Sequence, residues 1–117
     1  MAHYCHATAC QTPVPRERLM CEPHWRMVPL ATQRQVWATY RPGQCDDMNP
    51  RPAYCRAARD AVVAVASREG REPDVRLYRL YLYRAKVCDV CAVEDGLGRC
   101  NGCKRWVHGG CLGAHRC

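Results

Sequence analysis

Apolar residues along this chain fall into a few short periodic stretches separated by proline-rich turns. The clearest runs from Pro52 to Glu69, where Tyr54, Ala58, Ala61, Val62 and Val65 recur at helical spacing on one face. Arg56, Arg59, Asp60 and Ser67 lie opposite, and Gly70 supplies a stop. A shorter helix is predicted from Leu30 to Tyr40, with Pro29 at its first position and Pro42-Gly43 ending it. Pro13 and Pro15 argue against helix before Arg16, and the stretch from Gln44 to Pro52 reads as a loop. Asp74 to Ala85 fits two patterns. Asp74 as a cap with Leu77, Leu80 and Tyr81 on the inner face predicts a helix, which is preferred. The alternation Val75-Arg76-Leu77-Tyr78-Arg79 also permits a strand.

These stretches leave little material for a core. Hydrophobic residues make up 48% of the 117, but Cys contributes 11 of them, and Phe is absent. Leu and Val supply almost all the large aliphatic surface, about 15% of the chain, below the roughly 20% at which a charged chain is expected to be disordered. A cross-link must compensate, and the cysteines are placed to provide it. Their number is odd, so an all-disulfide scheme strands one thiol. The start of the chain lacks the apolar core of a signal peptide, and Ala61–Ala66, the longest aliphatic run, is too short to span a bilayer. A cytoplasmic, reducing location is therefore expected, where spaced cysteines mean metal more often than disulfides.

Near the start, Cys5-x4-Cys10 is followed after ten residues by Cys21-x2-His24. Three thiolates and an imidazole suit the tetrahedral preference of zinc, and short-loop pairs present two ligands each. His3 and His6 stand close enough to replace a ligand, but solvent-facing positions are expected for both. Trp25, Trp37 and Tyr40 are expected to pack a small core. A knuckle and short hairpin leading to a helix that supplies Cys21 and His24 resembles a treble-clef finger. The segments Leu19–Trp25 and Val36–Arg41 also resemble small uncharacterised zinc proteins of bacteriophages and prophages, which implies a setting rather than an activity.

The second cluster is more specific: Cys88-x2-Cys91-x8-Cys100-x2-Cys103-x4-His108-x2-Cys111. With Trp106 two residues before His108, it resembles the opening three quarters of a PHD finger. That resemblance implies interleaved ligands, with Cys88, Cys91, His108 and Cys111 forming one site and Cys100 and Cys103 opening another. His115 and Cys117 would complete a shortened second site. Two rivals remain: a ribbon-like site of Cys88, Cys91, Cys100 and Cys103, or a single filled site with a loose tail. A RING finger fits worse, because it needs a close Cys-x-His pair. Three Zn2+ ions would use nine cysteines and three histidines, leaving Cys45 and Cys55 as buried or free thiols.

The expected whole is a small α+β, zinc-stabilised protein: a treble-clef-like finger over 1–48, a basic helical connector over 49–87 and a PHD-like cross-brace finger over 88–117. Charge sharpens this division. Of the net +7, the connector carries +5, and zinc-bound thiolates would bring both ends close to neutral. Nothing assembles as an enzyme: a catalytic zinc keeps an open position, and no deaminase pattern, phosphate-binding glycine loop or HExxH is present. A non-enzymatic adaptor or inhibitor of phage type is therefore expected, docking on a host protein or protein–nucleic acid complex. The alternative is a nucleic-acid-binding protein. It would use Arg76, Arg79, Arg84 and Lys86 for phosphates and Tyr78, Tyr81 and Tyr83 for stacking, with Arg56 and Arg59 as further cations.

Overall fold

The structure, a computed structural model, describes residues 3–15, 17–44, 50–88, 97–99, 105–108 and 111. Helices α1 (Glu22–Trp25), α2 (Leu30–Thr39), α3 (Pro52–Glu69) and α4 (Arg76–Arg84) precede two short strands, β1 (Leu97–Arg99) and β2 (Trp106–His108). None of the described helices is long and apolar enough to cross a membrane.

Helix α3 is the centre of the molecule, and its neighbours α2 and α4 pack against it. Pro52 begins it without losing a needed donor, and Gly70 ends it in the left-handed region at φ 69°. The Gly70 and Arg71 amides then bond back to Ser67 and Ala66 carbonyls. Small residues dominate the inner face: Ala57, Ala58, Ala61, Val62, Val65 and Ala66 are buried, together with Cys55. Alanines let neighbouring helices approach closely, and so a chain poor in Leu and Ile still closes a core.

Helix α2 begins at Leu30, with Pro29 at the capping position just before it. Gln33 bridges back to α1, its Nε2 donating to the carbonyls of Trp25 (2.9 Å) and Val28 (3.2 Å). Trp25 is the last residue of α1, and its carbonyl also accepts from the Val28 amide at 3.1 Å, so Gln33 adds a side-chain donor where the short helix ends.

Helix α4 forms as preferred over the strand, but its inner face differs from the expected one. Tyr78 and Leu82 are buried, whereas Leu77 and Leu80 are each 44% exposed. Tyr81 is half-buried. The hydroxyl of Tyr78 reaches His6 near the chain's start, and docking that ring turns Leu77 and Leu80 outward. Val75 is the capping residue. Asp74, one position earlier, accepts from the Arg76 amide at 3.4 Å and from its guanidinium through both oxygens at 2.9 Å.

The first residues form a narrow hairpin. Tyr4 bridges Pro13, the Cys5 amide donates to Thr12, and the Val14 amide donates to His3. At the far end β1 and β2 pair antiparallel, with Leu97 opposite His108 and Arg99 opposite Trp106.

Candidate metal centres

The hairpin and α1 bring Cys5, Cys10, Cys21 and His24 together, every ligand atom within 4.8 Å of the others. Each pair is presented by local structure. Ala9, in the left-handed region at φ 63°, turns the chain so that Cys10 comes back toward Cys5. Cys21 is the capping residue of α1, and His24 follows inside that single turn. Nδ1 of His24 lies 3.2 Å from Cys21 Sγ and 3.5 Å from Cys5 Sγ. A zinc ion with ordinary Zn–S and Zn–N bonds in a tetrahedron holds sulfur and nitrogen about 3.5 Å apart, so the donor set fits that ion.

The electrostatics agree with a site that gains from a cation. Burial pushes the Cys5 thiol up to about 12. For Cys10, burial again acts upward, but hydrogen bonding from Thr12, Cys5 and Cys21 outweighs it and brings the thiol down to about 7.

The other nitrogen of His24 is also held. Its Nε2–H donates to Glu69 Oε2 at 3.3 Å, from the last residue of α3. Metal-bound imidazoles commonly use such a carboxylate to fix ring orientation and raise basicity. Glu69 was not among the residues singled out by spacing. The one hint was its position, because a carboxylate at a helix C-terminus opposes the helix dipole.

At the far end Cys88, His108 and Cys111 converge, again within 4.8 Å. Cys88 is fully buried, and the β1–β2 hairpin carries His108 back to it across the intervening sequence. Cys111 Sγ lies 3.9 Å from His108 Nδ1. Among the described residues, therefore, Cys88 sits with His108 and Cys111. Cys91, Cys100, Cys103, His115 and Cys117 lie outside the described residues, as does Cys45. Cys55 is buried in α3, and burial pushes its thiol up to about 12. The described cysteines are all unbridged.

His3 and His6, both half-buried beside an open cavity, form a chain of contacts. His3 Nδ1 lies 3.1 Å from the Pro15 carbonyl, the two Nε2 atoms are 3.2 Å apart, and His6 Nδ1 meets the Tyr78 hydroxyl. Burial, aided by the adjacent His3, lowers the His6 pKa to about 4.

Of the aromatic residues expected in the core, Trp25 is half-buried and packs against it, as does Tyr54, whereas Trp37 is exposed; with Tyr40 they line a groove of about 730 Å³ between α1, α2 and the start of α3. Trp25, Trp37, Tyr40 and Tyr54 follow one another edge-to-face, at centroid spacings of 6.3, 6.0 and 6.1 Å. Trp37 is 52% exposed.

The basic strip is divided by α4. Arg76, Tyr83, Arg84 and Lys86 are exposed, Arg79 and Tyr81 are half-buried, and Tyr78 is buried. Arg56 is exposed and Arg59 half-buried on α3. Stacking by Tyr78 is therefore excluded, because its ring is already packed in the interior. Compared with known protein families, curated proteins and solved structures, the chain matches none.

Proposed function

We propose that this chain is a non-enzymatic, zinc-stabilised docking protein that presents its aromatic groove to an extended segment of a host protein. Both clusters are read as structural zinc centres, the first treble-clef-like and the second PHD-like. Cys91 completes the second centre, and Cys100, Cys103, His115 and Cys117 hold a third ion. The thiolate-rich ligand sets suit a reducing, cytoplasmic compartment. The phage or prophage setting rests on the resemblance of Leu19–Trp25 and Val36–Arg41 alone.

The observation that carries the reading is Trp37. It is half exposed, yet ring contacts on both sides, from Trp25 and Tyr40, fix its orientation. A large aromatic held rigid at the surface loses little entropy on binding, which is the usual character of an interface anchor. Neither Trp25 nor Trp37 has a hydrogen-bond partner for its indole N–H among the described residues, so both can donate to the carbonyls of an extended chain.

The test uses the zinc-loaded chain as bait in nuclease-treated host lysate. A partner captured by the natural sequence should be lost with Trp37→Ala, a variant expected to keep its zinc. Association that disappears on nuclease treatment sinks the docking reading.

The nucleic-acid alternative draws support from the cluster Tyr83, Arg84 and Lys86, which is exposed at the end of α4. It predicts salt-dependent binding to DNA or RNA that weakens when Arg76, Arg79 and Arg84 become Ala. Absence of any oligonucleotide shift at low salt ends it.

A further inference from the structure

The geometry points to a metal site outside both cysteine clusters, in which His3 and His6 hold one divalent transition-metal ion through their Nε2 atoms. Three observations carry it. The first is the spacing. The two Nε2 atoms stand 3.2 Å apart. Two nitrogens bonded to one ion at about 2.0–2.1 Å stand about 2.9 Å apart at a right angle and about 3.3 Å apart at the tetrahedral angle. The observed separation falls between those limits.

The second is the anchoring of both rings at their far nitrogens. His3 Nδ1 donates to the Pro15 carbonyl at 3.1 Å, and His6 Nδ1 meets the Tyr78 hydroxyl. A carbonyl or other polar partner on the non-ligating nitrogen is the usual support of a metal-bound imidazole. Here it is supplied twice, by the second arm of the hairpin and by a buried residue of α4.

The third is access. His3 and His6 line an open cavity of about 600 Å³ bordered by Tyr4, Asp74, Leu77 and Leu80. An ion there would keep water in its remaining positions. No third Cys, His or carboxylate joins the pair closely enough among the described residues, so the site has two protein ligands. Imidazole donors without thiolate favour Ni2+, Cu2+ or Zn2+ over Mg2+ and Ca2+.

Loading the site releases no proton. Without an ion, Tyr78 donates to His6 Nδ1, and His6 Nε2–H donates to His3 Nε2. With the ion bound, the single ring proton of His6 moves from Nε2 to Nδ1. Tyr78 then changes from donor to acceptor, and His3 needs no change. Tyr78 is a positioning residue in this arrangement, touching the ligand and not the ion.

The experiment takes the full chain, acetylated at its amino terminus and loaded with zinc, and titrates it with Ni2+ by calorimetry while an indicator watches for released Zn2+. The expected result is one Ni2+ taken up per chain with no zinc released. Uptake should be lost in His3→Gln and in His6→Gln. In Tyr78→Phe it should weaken by about ten- to a hundredfold, the usual effect of removing such a support. Unchanged zinc content and helical signal identify the variants that fold; if His6→Gln does not, His3→Gln at the outer end decides alone. Nickel uptake that survives either histidine change in a folded variant overturns the site. So does uptake only in exchange for zinc, or no uptake by the natural sequence.

Discussion

Nε2 of His24 lies 3.3 Å from a carboxylate oxygen of Glu69, joining a candidate metal ligand on α1 to the last residue of the central helix. Because Nδ1 of the same ring faces Cys5 and Cys21, the imidazole connects the first cluster to α3. Glu69→Ala should therefore lower zinc affinity at that centre by about ten- to a hundredfold. Glu69→Gln, whose amide oxygen can still accept, should lose less. Competition with a chromophoric chelator measures both.

Each cluster should hold its ion independently. Cys21→Ser is expected to remove one zinc per chain, and Cys111→Ser another, as read by native mass spectrometry. Structural zinc in small peptides is worth on the order of 10–16 kcal/mol, comparable to the whole stability of a domain. Stripping the metal with a strong chelator should therefore abolish the cooperative thermal transition. A transition left unmoved by complete zinc removal contradicts the structural role.

The sequence made the spacing chemistry and the inner face of the central helix legible, with Ala58, Ala61, Val62 and Val65 buried as the period predicts, and left the contacts between distant segments illegible. Cys5, Cys10, Cys21 and His24 lie close in the chain, so local turns settle where they meet. The Pro52–Glu69 helix was equally plain, because a long amphipathic period bounded by Pro and Gly has few other solutions. What could not be read were contacts made across the chain: Glu69 with His24, Tyr78 with His6, and Trp37 in an open groove. On α4 the pattern offered Leu77, Leu80 and Tyr81 as the inner face, and of these Tyr81 does pack against the core. The face one residue on won because Tyr78 brings a hydrogen-bonding group as well as a ring. A periodicity in hydropathy weighs the ring and cannot see the partner.

That choice of face can be checked by substitution. Leu82 is 1% exposed, so Leu82→Ala should cost about 2–5 kcal/mol in urea unfolding of the zinc-loaded protein. Leu77→Ser and Leu80→Ser, at outward positions, should each stay within about 0.5 kcal/mol. The reverse order would restore the face that the pattern suggested.

Two positions in the left-handed region should respond oppositely to exchange. Gly70, at φ 69°, has open space where a Cβ would stand, so Gly70→Ala should destabilise only through backbone strain, by about 1 kcal/mol. Ala9 already bears that strain in the loop between Cys5 and Cys10. Ala9→Gly should relieve part of it, raising the melting temperature of the loaded protein slightly. A fall in melting temperature on Ala9→Gly would show that stiffness of the loop outweighs its strain.

Buried Cys55 makes stability depend on alkaline pH. Its thiol is pushed up to about 12 by burial, against 9.0 for the ordinary group, with Arg59 and a backbone hydrogen bond opposing. Below pH 9 both folded and unfolded chains keep the proton, and this residue adds no pH dependence. Between 9 and 12 the unfolded chain loses a proton that the folded chain retains. Stability therefore falls as pH rises, by about 1.4 kcal/mol per pH unit for one such thiol. Cys5 would add a similar slope in the metal-free protein, but with zinc bound its sulfur is already deprotonated, and the zinc-bound sulfurs give the opposite slope because the unfolded chain regains their protons. Tyr78, also pushed up by burial, enters only above pH 10. Over pH 9–10, then, Cys55→Ala should gain stability relative to the natural zinc-loaded chain as pH rises, with a difference in slope approaching one proton, since the zinc-bound sulfurs contribute equally to both. Urea midpoints across that interval measure the slope, and an unchanged slope in Cys55→Ala would place the titrating group elsewhere.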